Sequence, residues 1–125
     1  MRILLADDDH DVRLALRVTL EDAGNGVLEA DDGIRAIQLA TSEKPDLIML
    51  DVTMPQMDGL EALKILKSNP ATENIPVIMV SGIADSLGID AWRRLGASDF
   101  ICKPWACSEV ETVVARALRD VSVAV

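Results

Sequence analysis

The sequence predicts an α/β domain: a parallel sheet with helices on both faces. Three observations predict it. Short, continuous apolar runs recur along the chain, the pattern of strands buried on both faces. Stretches with helical spacing separate these runs, one after each. Strand after strand then ends on a reactive or charged residue: Asp7 and Asp8, Asp51, Ser81, Lys103.

The elements follow in order. ILLA (3–6) reads as the first strand. Helical spacing over 10–23 buries Val12, Leu16, Leu20 and Ala23, with Asp9 as N-cap and Gly24 as the stop. GVLEA (26–30) is the second strand, and 33–40 is helical. Lys44-Pro45-Asp46 forms a turn before LIML (47–50). Asp58-Gly-Leu-Glu61 is a capping-box variant that opens a helix to about Lys67, and Asn69-Pro70 breaks it. IPVIMV (75–80) is the fourth strand, 85–95 is helical up to Gly96, and DFIC (99–102) is the fifth strand. A last helix covers 106–120. Right-handed crossovers make this a doubly wound sheet, and 2-1-3-4-5, the flavodoxin-like order, is the expected one.

A chain of 125 residues fits one domain, 1–125, with 121–125 read as a tail or the start of a linker. Half of it is apolar, enough for a core without metal or disulfide staples. The net charge of −9 argues against direct binding to nucleic acid or anionic lipid. No apolar run has the length of a membrane span. Cys102 and Cys107 lack metal or redox spacing and read as free packing thiols in a reducing compartment, so a cytoplasmic location is expected. His10, the single histidine, is expected to be exposed, which weakens any zinc reading.

In a parallel sheet the C-terminal ends of the strands share one edge, where ligands bind. Asp7, Asp8, Asp51, Ser81 and Lys103 therefore meet in one crevice. Close carboxylates need raised pKa values or a cation. All-oxygen donors favour Mg²⁺ or Mn²⁺. Lys103 and Ser81 suit added negative charge, as on a phosphoryl group carried by a carboxylate.

Asp7-Asp8, Asp51 with Met54-Pro55-x-x-Asp58-Gly59, Ser81, Gly96-Ala97 and Lys103-Pro104 occur in an order and spacing that resembles the receiver domain of two-component response regulators. The resemblance covers essentially the whole chain. It implies that Asp51 is the phosphoacceptor, and that Asp7, Asp8, Asp51 and the Thr53 backbone carbonyl hold Mg²⁺, Asp8 more directly than Asp7. It implies that Lys103 pairs with the phosphoryl group before a cis peptide to Pro104, and that Ser81 and Phe100 are the switch pair. The implied partners are a sensor histidine kinase or phosphotransfer protein and a downstream effector, with a homodimer through the fourth helix, fifth strand and fifth helix as a further option. By this reading the domain is not an enzyme beyond its own phosphoryl transfer and dephosphorylation.

Departures from the family pattern sharpen the expectations. Phe100 lacks the hydroxyl of the more usual Tyr, so it signals by packing alone. Asn25-Gly26 stands where an aromatic often opens the second strand. Thr53 and Ile83, which flank the attacking water in the family, offer no amide or carboxylate, so slow dephosphorylation is expected. Leu14 and Val18 lie off the buried stripe of the first helix and are candidates for kinase contact. Ile89 and Trp92 lie off the predicted inward stripe of the fourth helix (Leu87, Ala91, Leu95), near Phe100, and are candidates for an output surface. Gly88 is expected to weaken that helix. Two rivals stand beside this reading. An Asp-nucleophile phosphohydrolase would carry a second Asp where Thr53 stands. A phosphorylation-independent interaction module would have no use for the intact acidic set.

Overall fold

The computed structural model describes residues 1–54, 56–82, 86–103, 105 and 107–123. Strands β1 (Arg2–Ala6), β2 (Gly26–Ala30), β3 (Leu47–Asp51), β4 (Val77–Ser81) and β5 (Asp99–Cys102) alternate with helices α1 (His10–Asp22), α2 (Gly33–Glu43), α3 (Gly59–Ser68), α4 (Ser86–Arg94) and α5 (Cys107–Val123). Every pairing is parallel and the order is β2-β1-β3-β4-β5, as the sequence predicts.

Strand alternation divides the apolar residues between two cores. Leu4, Ala6, Ile48, Leu50, Val77 and Met79 face α2, α3 and α4, meeting Ala36, Ala40, Ala62, Leu63, Leu66 and Trp92. Ile3, Leu5, Leu47, Met49, Ile78, Val80 and Ile101 face α1 and α5, meeting Leu16, Leu20, Val110, Val113, Val114 and Ala117. This double burial explains why the strands read as unbroken apolar runs.

Short polar side chains start the helices. Asp9 accepts from the Asp11 and Val12 amides at 2.9 and 3.3 Å, Asp32 from Arg35 at 2.7 Å, and Asp58 from Glu61 at 2.9 Å. Each cap is worth about 1 kcal/mol. The cap on α3 also seats that helix against the sheet edge. Gly59 donates its amide to the Val52 carbonyl at 2.8 Å. A Cβ on Gly59 would collide with the backbone carbonyl of Asp51. The Asp-Gly pair thus sets how closely α3 approaches the end of β3.

The structure corrects several boundaries and one face. Helix α5 runs past Asp120 to Val123, so the start of the expected tail is helical. Strand β4 begins at Val77 because Pro76 has no amide to donate. Ala23 is exposed: it caps α1 at φ −84° instead of extending its buried stripe. The largest correction is Trp92. It is buried in the α2–α4 core, and Ile89 is half-buried against that core, while Ala91 is exposed. Two stripes compete on this short helix, and burying an indole outweighs burying a methyl. Trp92 is therefore not a surface for partners.

Two stability measurements follow. Gly59→Ala should lower the stability to urea by about 1–3 kcal/mol, since the new methyl must displace the Asp51 backbone. Trp92→Ala should cost about 3–5 kcal/mol as a core truncation, where a surface tryptophan would cost about 0.5 or less.

Candidate functional site

Alternation also assembles the site. Asp7 continues the row Ile3–Leu5, Asp51 the row Leu47–Met49, and Lys103 follows Ile101, all on the α1–α5 side. Ladder bonds carry the order one step past the strands. The Asp7 amide donates to the Ala30 carbonyl at 3.1 Å, Val52 to Val80 at 3.0 Å, and Lys103 to Ser81 at 2.8 Å. The functional groups thus sit on fixed backbone.

Lys103 Nζ donates to Asp7 Oδ2 at 3.1 Å and stands 3.5 Å from Asp51 Oδ2. The other Asp7 oxygen, Oδ1, accepts from the Asp9 amide at 2.9 Å. The Thr53 amide donates to Asp51 Oδ1 at 3.3 Å. Asp7 and Asp51 are buried, at 2% and 5% exposure, while Asp8 is exposed. Ligand oxygens of Asp7, Asp8 and Asp51 lie within 4.8 Å of one another. Three carboxylates against one ammonium leave two formal negative charges, which a divalent cation would cancel. The donor set is all oxygen and fits a hard ion.

Burial pushes the Asp51 carboxyl up to about 6, and the Asp7 charge adds to the rise; Lys103 and the Thr53 amide hold it back. Burial pulls the Lys103 ammonium down, but its hydrogen bond to Asp7 and the Asp51 charge prevail and leave it raised. Asp51 is thus a largely ionised carboxylate at neutral pH, though a destabilised one.

The remaining candidates fall around this centre. Ser81 is buried at the end of β4, in register with Cys102. Phe100 is half-buried, with the Trp92 ring at 6.5 Å and the Arg93 guanidinium 5.8 Å from its centroid. Thr53 and His10 are exposed. Leu14 and Val18 are exposed on α1, at 51% and 50%. Ile83 and Pro104, with the expected cis peptide, lie outside the described residues. A groove of about 520 Å³ lined by Asp11, Val12, Ala15, Lys103 and Trp105 opens beside the lysine. The sequence reading missed Arg13, which donates to the Asp7 carbonyl at 2.6 Å and to Glu29 at 3.2 Å. Its one signal was Glu29, an acid inside an apolar strand that calls for a partner.

The raised Asp51 value has a stability consequence. Between the ordinary 3.8 and about 6 the folded protein holds a proton that the unfolded chain releases. This group's contribution is therefore favourable in acid and lost as pH rises through about 6. Without divalent cations, Asp51→Asn should be more stable than wild type at pH 7.5, on the order of 1–3 kcal/mol. The difference should vanish near pH 4. Urea denaturation at both pH values checks it.

The response regulator receiver domain model matches residues 3–115. PhoP of Bacillus subtilis, an alkaline phosphatase synthesis transcriptional regulatory protein, is 35% identical over 123 residues, 98% of this chain and 50% of that protein. The response regulator MprA of Mycobacterium avium is 39% identical over 115 residues, 88% of this chain and 47% of that one. The chain spans about half the length of these curated relatives. The chemotaxis protein CheY4 of Vibrio cholerae superposes with a TM-score of 0.88 at 28% identity, covering 93% of this chain and 97% of that one. The signal receiver domain of a histidine kinase from Syntrophus aciditrophicus gives 0.86 at 32% identity, covering 95% and 90%. These matches do not favour the phosphohydrolase alternative. The chain belongs to the response regulator receiver domain family, the signalling domains of two-component systems.

Proposed function

We propose that this domain is a switch thrown by phosphorylation of Asp51. The observation that carries the reading is Lys103 Nζ, held between the carboxylates of Asp7 and Asp51 at the sheet edge. An ammonium there meets the oxygens of any phosphoryl group added to Asp51. The chemistry balances simply. An Asp51 oxygen attacks the phosphorus of a kinase phosphohistidine, the P–O bond forms, the P–N bond breaks, and the leaving imidazole takes a proton. Bound Mg²⁺, or Mn²⁺, would offset charge on the phosphoryl oxygens. Asp8, Asp51 and the Thr53 carbonyl would hold it. Both Asp7 oxygens already accept hydrogen bonds, which supports a water-mediated part for Asp7.

Ser81 and Phe100 would carry the signal outward. Ser81 hydrogen-bonds the phosphoryl group, and Phe100 repacks. Phe100 contacts both Trp92 and Arg93 of α4, so its movement would disturb that helix directly. The Arg93 contact is worth about 0.5–1 kcal/mol, weak enough for a phosphoryl group to overcome. The groove beside Lys103, with Leu14 and Val18 on α1, gives a histidine kinase or phosphotransfer protein a route to Asp51. The α4–β5–α5 surface serves an effector or a second copy, and the net charge of −9 argues against nucleic acid as its direct ligand. A cytoplasmic site of action fits the kinase partner, and no described helix is long and apolar enough to cross a membrane.

Acetyl phosphate with Mg²⁺, followed by intact mass, tests the proposal. Wild type should gain one phosphoryl group, and Asp51→Asn or added EDTA should abolish the gain. Repeated turnover of unrelated phosphate esters would favour a hydrolase, and no adduct at saturation a passive module. The adduct should persist for minutes or longer, since the exposed Thr53 side chain offers no amide or carboxylate to orient the attacking water. Loss within seconds would contradict that part.

A further inference from the structure

We infer that Arg13 is a positioning residue, whose guanidinium fixes the peptide between Asp7 and Asp8 and so sets where Asp8 presents its carboxylate to a divalent cation. The inference rests on the cation reading above.

The peptide groups of Asp7 are held at both ends. Its amide donates to the Ala30 carbonyl at 3.1 Å, and its carbonyl accepts from Arg13 Nη1 at 2.6 Å. That carbonyl belongs to the peptide leading into Asp8. Clamping it fixes the direction in which the chain leaves the sheet. Asp8 itself is exposed, so its direction must come from the backbone. The clamp is well anchored. The Arg13 side chain is 14% exposed, and its Nε donates to Glu29 Oε1 at 3.2 Å. Arg17, one turn on, donates to Glu29 Oε2 at 2.6 Å and to Glu21 at 2.9 Å. Glu29 thus binds two arginines of α1, but only Arg13 reaches the acidic loop. The planar fork holds a carbonyl and a carboxylate in one fixed geometry, which a lysine's flexible stem and point charge reproduce less well.

Charge and position make opposite predictions. Arg13 is a cation near a cation site, so by charge alone its removal should tighten Mg²⁺ binding. As an outer support of the site, its removal should weaken binding by about 10-fold. Arg17 shares the network without touching Asp7, which makes it the control.

Mg²⁺ titration of the whole domain, followed by tryptophan fluorescence, separates the two. Arg13→Ala should raise the Mg²⁺ dissociation constant about 10-fold, with Arg17→Ala near wild type and Arg13→Lys in between. In EDTA, amide exchange at Asp8 and Asp9 should quicken in Arg13→Ala and not in Arg17→Ala, a readout that needs no metal. If Arg13→Ala fails to fold, Arg13→Lys against Arg17→Ala decides. Unchanged or tighter binding, or equal effects at Arg13 and Arg17, overturns the inference. No Mg²⁺ binding by wild type overturns the cation reading and this inference with it.

Discussion

The site depends on one ammonium between two buried carboxylates. Lys103 Nζ lies 3.1 Å from Asp7 and 3.5 Å from Asp51. Without it, two negative charges would share a dry strand edge, and one would be neutralised by a proton. With it, Asp51 can stay ionised, though its carboxyl is still pushed up to about 6. A buried charge so poorly compensated is a cost to folding. The two hydrophobic cores on either side of the sheet offset that cost. In the proposed function, that carboxylate is held ready for a cation and a phosphoryl group.

The same constraint explains the rigidity around the site. Each functional strand is extended by one further ladder bond, at Asp7, Val52 and Lys103. Helix α3 is seated against the Asp51 carbonyl because residue 59 has no side chain. The mobile part of the proposed mechanism is elsewhere, where Phe100 rests against Trp92 and Arg93 through weak contacts. In the proposed mechanism, a firmly held acceptor and an aromatic that repacks against α4 would let local chemistry move a distant surface.

Much of this was legible in the sequence, for physical reasons. Strands buried on both faces leave continuous apolar runs, so β1 to β5 stood out, and the polar residues ending them located the site. Asp9 and Asp58 announced their helices because a cap has a residue type and a spacing. Trp92 was misplaced because α4 carries two competing stripes, and only packing shows which one the sheet accepts. Arg13 was missed because its key partner is a backbone carbonyl, which every residue possesses and no motif marks. The half-burial of Phe100 likewise depends on α4 packing, which periodicity alone does not supply.

The central claim is that Asp51, and no other carboxylate of the cluster, accepts the phosphoryl group. Borohydride reduces an aspartyl phosphate to homoserine, and peptide mass spectrometry then locates the converted residue. The account predicts homoserine at position 51 after treatment with acetyl phosphate and Mg²⁺. Homoserine at position 7 or 8, or a phosphoryl group on a histidine or serine, would contradict it.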